Sequence, residues 1–152
     1  MQEIERKFLV DKIMWQPTGK GIQIKQAYLS VDYERVVRIR ISGERSFLTI
    51  KGKATGLTRA EFEYEIPLLE AEQLMQICLY KPIVKTRYVE YKKNIVWEID
   101  VFEDENEGLV LAEVELDNEK QKIKLPQWIQ KEVSEDYRYY NSWLSQNPYS
   151  DW

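Results

Sequence analysis

The chain opens Gln2-Glu3-Ile4-Glu5-Arg6-Lys7-Phe8, and this period of two in charge governs what it can fold into. Successive side chains of a strand point to opposite faces. Glu3, Glu5 and Lys7 therefore share one face, with mostly apolar residues on the other. The alternation returns along the chain. Arg38 and Arg40 stand opposite Val37, Ile39 and Ile41; Lys51 and Lys53 opposite Leu48 and Ile50; Glu61, Glu63 and Glu65 opposite Phe62, Tyr64 and Ile66. Lys85 and Arg87 form a further pair. Glu98 and Asp100 oppose Trp97, Ile99 and Val101, and Glu113 and Glu115 oppose Ala112, Val114 and Leu116.

The pattern predicts strands over 2–9, 22–31, 35–42, 46–53, 59–66, 83–91, 95–103 and 109–117. The connections Ser42-Gly43-Glu44, Lys92-Lys93-Asn94 and residues 104–108 suit antiparallel hairpins. Leu74, Met75, Ile77 and Cys78 predict one helix over 68–79, with Pro82 beyond its end. Shorter helical pieces are expected at 11–16, 118–123 and 138–146, and a frayed segment at 147–152. The expected fold is mainly β (α+β): an eight-stranded antiparallel β-barrel tunnel with a few peripheral helices, formed by a single domain over 1–152.

A half-buried strand ordinarily shows a solvated polar face, so any one of these rows carries little information. Their sorting carries more. Whole strands are acidic (59–66, 95–103, 109–117) and whole strands are basic (35–42, 46–53, 83–91). Adjacent like charges repel and raise each other's carboxyl pKa unless a cation intervenes. Acidic rows thus suit a divalent cation, and basic rows suit a dense polyanion. Turned inward, such rows require a solvated or ligand-filled lumen, because dry burial of unpaired charge is prohibitive. The apolar faces then point outward against helices or neighbouring chains, and Trp97 is expected to pack against a helix.

Composition narrows the chemistry. At 152 residues, 43% hydrophobic and 32% charged, the chain reads as a soluble globular domain. There is no histidine, which removes histidine-dependent hydrolysis and imidazole metal sites, and leaves oxygen donors suited to Mg²⁺ or Mn²⁺. The single cysteine, Cys78, makes no intrachain disulfide and is expected to pack, in a reducing cytoplasm. No signal peptide or membrane span is expected. Nucleic acid is not an expected partner, since basic and aromatic residues do not interleave. Outward apolar faces make a homodimer an expectation.

These rows resemble the triphosphate tunnel metalloenzymes, the CYTH superfamily. The resemblance rests on Glu3-x-Glu5-x-Lys7, Gln26-x-Tyr28-Leu29, Arg38-x-Arg40, Lys51, Arg59-x-Glu61-x-Glu63, Lys85-x-Arg87, Glu98-x-Asp100-Val101-Phe102, Glu113-x-Glu115 and Arg138-Tyr139-x-Asn141, in that order. It implies a barrel that binds a triphosphate and hydrolyses its terminal phosphoanhydride. The substrate it implies first is inorganic tripolyphosphate. Nucleoside or thiamine triphosphate hydrolysis, adenylyl cyclisation, and non-catalytic binding of polyphosphate or nucleotide are the alternatives. Cyclase-type members tend to carry an N-terminal His-Phe element, absent here.

The resemblance implies that Glu3, Glu5 and Glu115, with Glu113 and Asp100, hold Mg²⁺ or Mn²⁺. Lys7, Arg38, Arg40, Lys51, Arg59, Lys85, Arg87 and Arg138 would grip phosphate oxygens, and Glu61, Glu63 and Asp100 are candidates for a second metal or for orienting the attacking water. Lys7 is read as a phosphate contact in preference to a base. Tyr28 is read either as a lumen hydroxyl or as a hydrogen-bonded core residue. Tyr137 and Tyr140 stand where relatives often carry lysines, so part of the basic lining is expected to be missing there. The segment 139–144 is expected to plug one tunnel mouth or to lie on the surface as a helix.

Overall fold

A computed structural model describes residues 1–152. Its strands are β1 (Gln2–Val10), β2 (Ile22–Asp32), β3 (Arg35–Ser42), β4 (Arg45–Gly52), β5 (Thr58–Ile66), β6 (Leu79–Lys92), β7 (Ile95–Phe102), β8 (Val110–Glu115) and β9 (Ile129–Glu132). Two helices accompany them, α1 (Leu68–Gln76) and α2 (Asn141–Leu144). Neighbouring strands are antiparallel in the order β5-β4-β3-β2-β6-β7-β8-β1, and β5 returns to pair with β1. The sheet is thereby closed into a barrel of eight staves. The seam is short: β5 covers only Gln2 to Ile4 of β1. The far half of that edge is taken by β9, opposite Phe8 and Val10.

Local chemistry sets the register. Gly43, at φ +60°, opens the two-residue β3–β4 turn, where an L side chain would be strained. Lys93 and Asn94, at φ +48° and +65°, form a turn with both central residues left-handed, which fits the right-handed twist of β6 and β7. Register pairs Tyr28–Arg38–Thr49–Glu63, Lys51–Glu61, Glu98–Glu113 and Glu5–Glu115 across neighbouring strands. A one-residue slip would turn every charge outward.

The principal apolar core therefore lies outside the wall. Phe8, Trp97, Ile99, Ala112 and Val114 project from β1, β7 and β8 and are roofed by Trp15, Leu116 and Trp128. Trp97 meets Phe8 and Trp128 edge-on, at ring separations of 5.8 and 5.6 Å. The roof over Trp97 is irregular chain, not the expected helix. Helix α1 packs on β3 and β4 with Ala71 fully buried. Ile50, Phe62 and Tyr64 on the outer face of β4 and β5 stay exposed.

At one end the inward positions turn apolar. Leu9, Ile83, Phe102 and Leu111 meet Val133, Tyr139 and Leu144, so the chain after β9 seats in the barrel end as a plug. Residues 147–152 are ordered, not frayed. Trp152 packs edge-on to Tyr139, Trp143 and Tyr149 at 5.2, 5.9 and 5.0 Å, and its indole N–H donates to the Asn147 carbonyl.

Other expectations shift. The first helix stops at Gln76, because β6 begins at Leu79, earlier than expected. Pro82 lies inside β6, where the register with β2 slips between Gln26 and Tyr28; a bulge tolerates its missing N–H. Segments 11–16 and 118–123 form turns without a helix. Segment 138–146 divides between a 3₁₀ turn at Tyr137–Tyr139 and α2. No helix is long and apolar enough to cross a membrane.

The outside core gives a prediction. Trp128→Ala should lower stability by about 3–5 kcal/mol in urea denaturation, the cost of truncating a large buried aromatic. Tyr64→Ala, on the uncovered face, should stay within about 0.5 kcal/mol of the parent. Equal effects would contradict a core roofed by the 117–133 segment.

Candidate active site

The barrel encloses a cavity of about 290 Å³. Only five of its 23 lining residues are hydrophobic: Tyr28, Val36, Ala54, Leu57 and Tyr140. Seven lining residues are acidic (Glu3, Glu5, Glu61, Glu63, Glu98, Glu113, Glu115) and seven are basic (Lys7, Arg38, Arg40, Lys51, Arg59, Lys85, Arg87). The lining is thus formally neutral, and charge of both signs is crowded into one space.

Most cations are held by carboxylates. Lys51 bridges Glu3 at 2.9 Å and Glu61 at 3.3 Å. Arg38 and Arg40 share Glu63 at 3.5 and 3.3 Å, and Glu63 also accepts from the Thr49 hydroxyl at 2.8 Å. Lys7 reaches Glu113 at 3.5 Å and donates to the Tyr139 carbonyl at 3.2 Å. Arg87 forks onto both oxygens of Asp100 at 2.7 and 2.8 Å and also pairs with Glu98. Lys85 joins the same Asp100 at 2.8 Å. Arg59 donates to the Gly52 carbonyl at 3.0 Å.

This crowding moves the ionisations. Burial raises the Glu113 carboxyl, but Lys7, Arg87, Lys85 and Lys51 outweigh it and hold the group far below the usual carboxylate range. Burial would discharge Lys7; Glu113, Glu5 and Asp100 oppose it and raise the ammonium above its ordinary value. That direction favours Lys7 as a charged phosphate contact over a base. Arg40 is lowered to about 10 by burial and by the neighbouring Arg38 and Arg87, yet stays charged near neutrality. Lys85 is lowered to about 8 by burial, against the pull of Asp100.

Glu5 and Glu115 differ from the rest. They face each other in register across β1 and β8, and neither has a cationic side chain within ion-pair distance. Burial, then Glu113 and Glu3, push the Glu5 carboxyl well above its ordinary value. Burial and Glu3 raise Glu115. No three carboxylates converge into a finished metal cage. Two oxygen donors without a protein cation nevertheless fit Mg²⁺ or Mn²⁺, which keep waters and take further oxygens from substrate phosphate.

The structure gathers most residues singled out from sequence: Glu3, Glu5, Lys7, Tyr28, Arg38, Arg40, Lys51, Arg59, Glu61, Glu63, Lys85, Arg87, Glu113 and Glu115 all line the cavity. Two residues lie elsewhere. Arg138 is half-exposed outside the cavity, forked onto Asp136 and stacked on Trp152 at 5.4 Å. It lies in the 3₁₀ turn rather than on an inward strand face. Asp100 is fully buried beneath the lining, its oxygens taken by Arg87 and Lys85, so it props two cations and has no free face for a metal. Lys53 lies beyond β4 and is exposed, and Glu65 pairs outside the cavity with Arg45.

Glu98 and Asn141 stood in the matching motifs without an assigned role, and Thr49, Ser134 and Ser142 escaped the sequence reading. Glu98 was legible in the acidic row of β7. Thr49 lies two residues before Lys51 on the same inward face, a position the period of two marks. Ser134, Asn141 and Ser142 come from the plug, which has no strand period to betray it. Tyr28 meets both expectations: it lines the cavity, is buried, and accepts from the Gln26 amide at 3.2 Å.

The comparisons agree with this architecture. The chain is 42% identical over 151 residues to an inorganic triphosphatase of Acetivibrio thermocellus, covering 99% of this chain and 97% of the relative. It is 35% identical over 151 residues to an inorganic triphosphatase of Nitrosomonas europaea, covering 95% and 97%. A crystal structure of an inorganic triphosphatase superposes with a TM-score of 0.66 at 33% identity, covering 94% of this chain and 93% of that one. Residues 1–145 match the CYTH domain, and with this inward-charged barrel the chain belongs to the CYTH family.

Proposed function

We propose that this chain hydrolyses the terminal phosphoanhydride of inorganic tripolyphosphate to pyrophosphate and phosphate, using Mg²⁺ or Mn²⁺. The observation that carries this reading is the cavity itself: seven cations converge on a space lined by equally many carboxylates, two of which lack a protein partner. Similarity to two inorganic triphosphatases over nearly the full length supports it. So does the scarcity of apolar lining, which offers little surface to a nucleobase or thiazole ring.

Phosphoryl transfer asks little covalent chemistry of a protein and much positioning. Arg38, Arg40, Arg59 and Arg87 offer guanidinium forks to phosphate oxygens, and Lys7, Lys51 and Lys85 add compact ammonium charges. Water attacks the terminal phosphorus, the bond to the bridging oxygen breaks, and pyrophosphate leaves with that oxygen. Glu61 or Glu63 takes the proton lost by the water, freed for this when phosphate replaces it on Lys51 or on Arg38 and Arg40. Glu5 and Glu115, supported by Glu3 and Glu113, would hold the divalent ion. Bound there, it supplies Lewis-acid charge that offsets the charge developing on the phosphate oxygens.

Phosphate release from tripolyphosphate, followed with and without chelator, tests the reading. The expected result is turnover that chelator abolishes and added Mg²⁺ or Mn²⁺ restores; turnover indifferent to chelator would remove the metal, and none under any condition would remove the activity. Side-chain changes should divide by location. Arg40→Ala should lower kcat/KM by about 10²–10³, the cost of one transition-state charge contact. Arg138→Ala, outside the cavity, should stay within roughly twofold of the parent. A large loss from Arg138→Ala would mean the plug end turns inward in solution.

A further inference from the structure

Asn141 begins α2 and lines the cavity, carried there by the plug rather than by the barrel wall. Its side-chain oxygen accepts two hydrogen bonds, from the Lys85 ammonium at 3.1 Å and from the Gln26 amide at 3.0 Å. These donors come from β6 and β2, so one plug residue ties two adjacent staves together.

The bonds fix a direction. Lys85 has three N–H donors and no acceptor. One goes to Asp100 at 2.8 Å and one to Asn141, so the third is left pointing away from both, and Lys85 borders the cavity. Because Lys85 only donates, Asn141 must present its oxygen. That oxygen in turn requires the Gln26 nitrogen to face it. The same nitrogen donates to the Tyr28 hydroxyl at 3.2 Å, which therefore acts as acceptor there and keeps its own proton for another partner. The Gln26 oxygen is left buried with no partner, a cost the arrangement accepts to keep this polarity.

We infer that Asn141 is a positioning residue that aims the Lys85 ammonium and, through Gln26, the Tyr28 hydroxyl at a condensed-phosphate anion in the cavity. The inference rests on the triphosphatase reading for the identity of that anion. It assigns the plug a role in the chemistry beyond closing the barrel: without Asn141 the ammonium swings about its remaining bond to Asp100, and the Gln26–Tyr28 polarity is no longer imposed. Asn141 itself need not touch phosphate.

A double-mutant cycle separates this from a structural role. Steady-state turnover and calorimetric binding of tripolyphosphate would be measured for the parent, Asn141→Ala, Lys85→Ala and the double variant, with thermal melting as the fold control. The expected outcome is about a tenfold to hundredfold loss of kcat/KM in Asn141→Ala, weaker tripolyphosphate binding, and a double variant scarcely slower than Lys85→Ala, because the two residues act as one unit. Asn141→Asp keeps the acceptor for Lys85 and Gln26 but adds a negative charge. It should retain more of kcat than Asn141→Ala while raising KM. Losses that multiply in the double variant, or parent-like kinetics in Asn141→Ala, would overturn the inference. A parent that binds tripolyphosphate without turnover would instead sink the hydrolytic reading, and the cycle, read by calorimetry alone, would still decide the role of Asn141.

Discussion

Everything in this barrel depends on charges of opposite sign neutralising each other around one shared cavity. A lone ion there would cost several kcal/mol. The structure avoids that cost by register. Antiparallel pairing puts Lys51 beside Glu61, and sheet closure brings Glu3 to the same ammonium. Asp100 is the extreme case, fully buried yet forked by Arg87 and touched by Lys85. Removing Asp100 would take the only ion pair from buried Lys85 and the carboxylate fork from Arg87, which is why it reads as a prop for the site rather than a ligand within it. Turning charge inward forces the greasy faces outward, and these then need covering. Trp15, Leu116 and Trp128 do this from irregular chain, and α1 does it elsewhere.

The same pairings make the cavity a preorganised host. Glu63 lies 3.5 Å from Arg38 and 3.3 Å from Arg40 and offsets their mutual repulsion, while the Nε of each guanidinium stays buried without a partner. A phosphate arriving there exchanges one anion for another and leaves the cationic frame in place. Little reorganisation is then needed at the moment of reaction, which is where electrostatic catalysis gains most. On the proposed mechanism the exchange would free Glu63 to take the proton of the attacking water.

Much of this was legible in the sequence because strands report their faces. The alternation at Glu3-Glu5-Lys7, Arg38-Arg40 and Glu113-Glu115 gave both strand positions and a shared inward face. The absent histidine restricted the metal chemistry to oxygen donors. What the period of two cannot convey is depth: Asp100 shares a row with Glu98, yet it lies one step nearer the plugged end, fully buried against Lys85 and Arg87. Nor does it reach residues off the strands. Arg138 belonged to a matching motif, but its 3₁₀ turn directs it to Asp136 and Trp152. Ile129–Glu132 is too short and too polar to register as a strand, although its pairing with β1 completes the wall. The order in residues 147–152 comes from aromatic contacts around Trp152 that no local pattern announces.

The equal numbers of acidic and basic lining residues carry a thermodynamic consequence. A cavity already neutral cannot take in a dense polyanion alone without an excess of negative charge, because each phosphate oxygen that claims a cation strands the carboxylate it displaces. Glu5 is in that condition from the start, with burial, Glu113 and Glu3 pushing its carboxyl upward, while Glu115 opposite it is exposed to solvent. A divalent cation relieves the carboxylates and the phosphates together. On the proposed reading, anion and metal should therefore bind more tightly in each other's presence, each raising the affinity for the other by the same factor. In this cavity, recognition of a condensed phosphate and recognition of a metal are two sides of one charge balance.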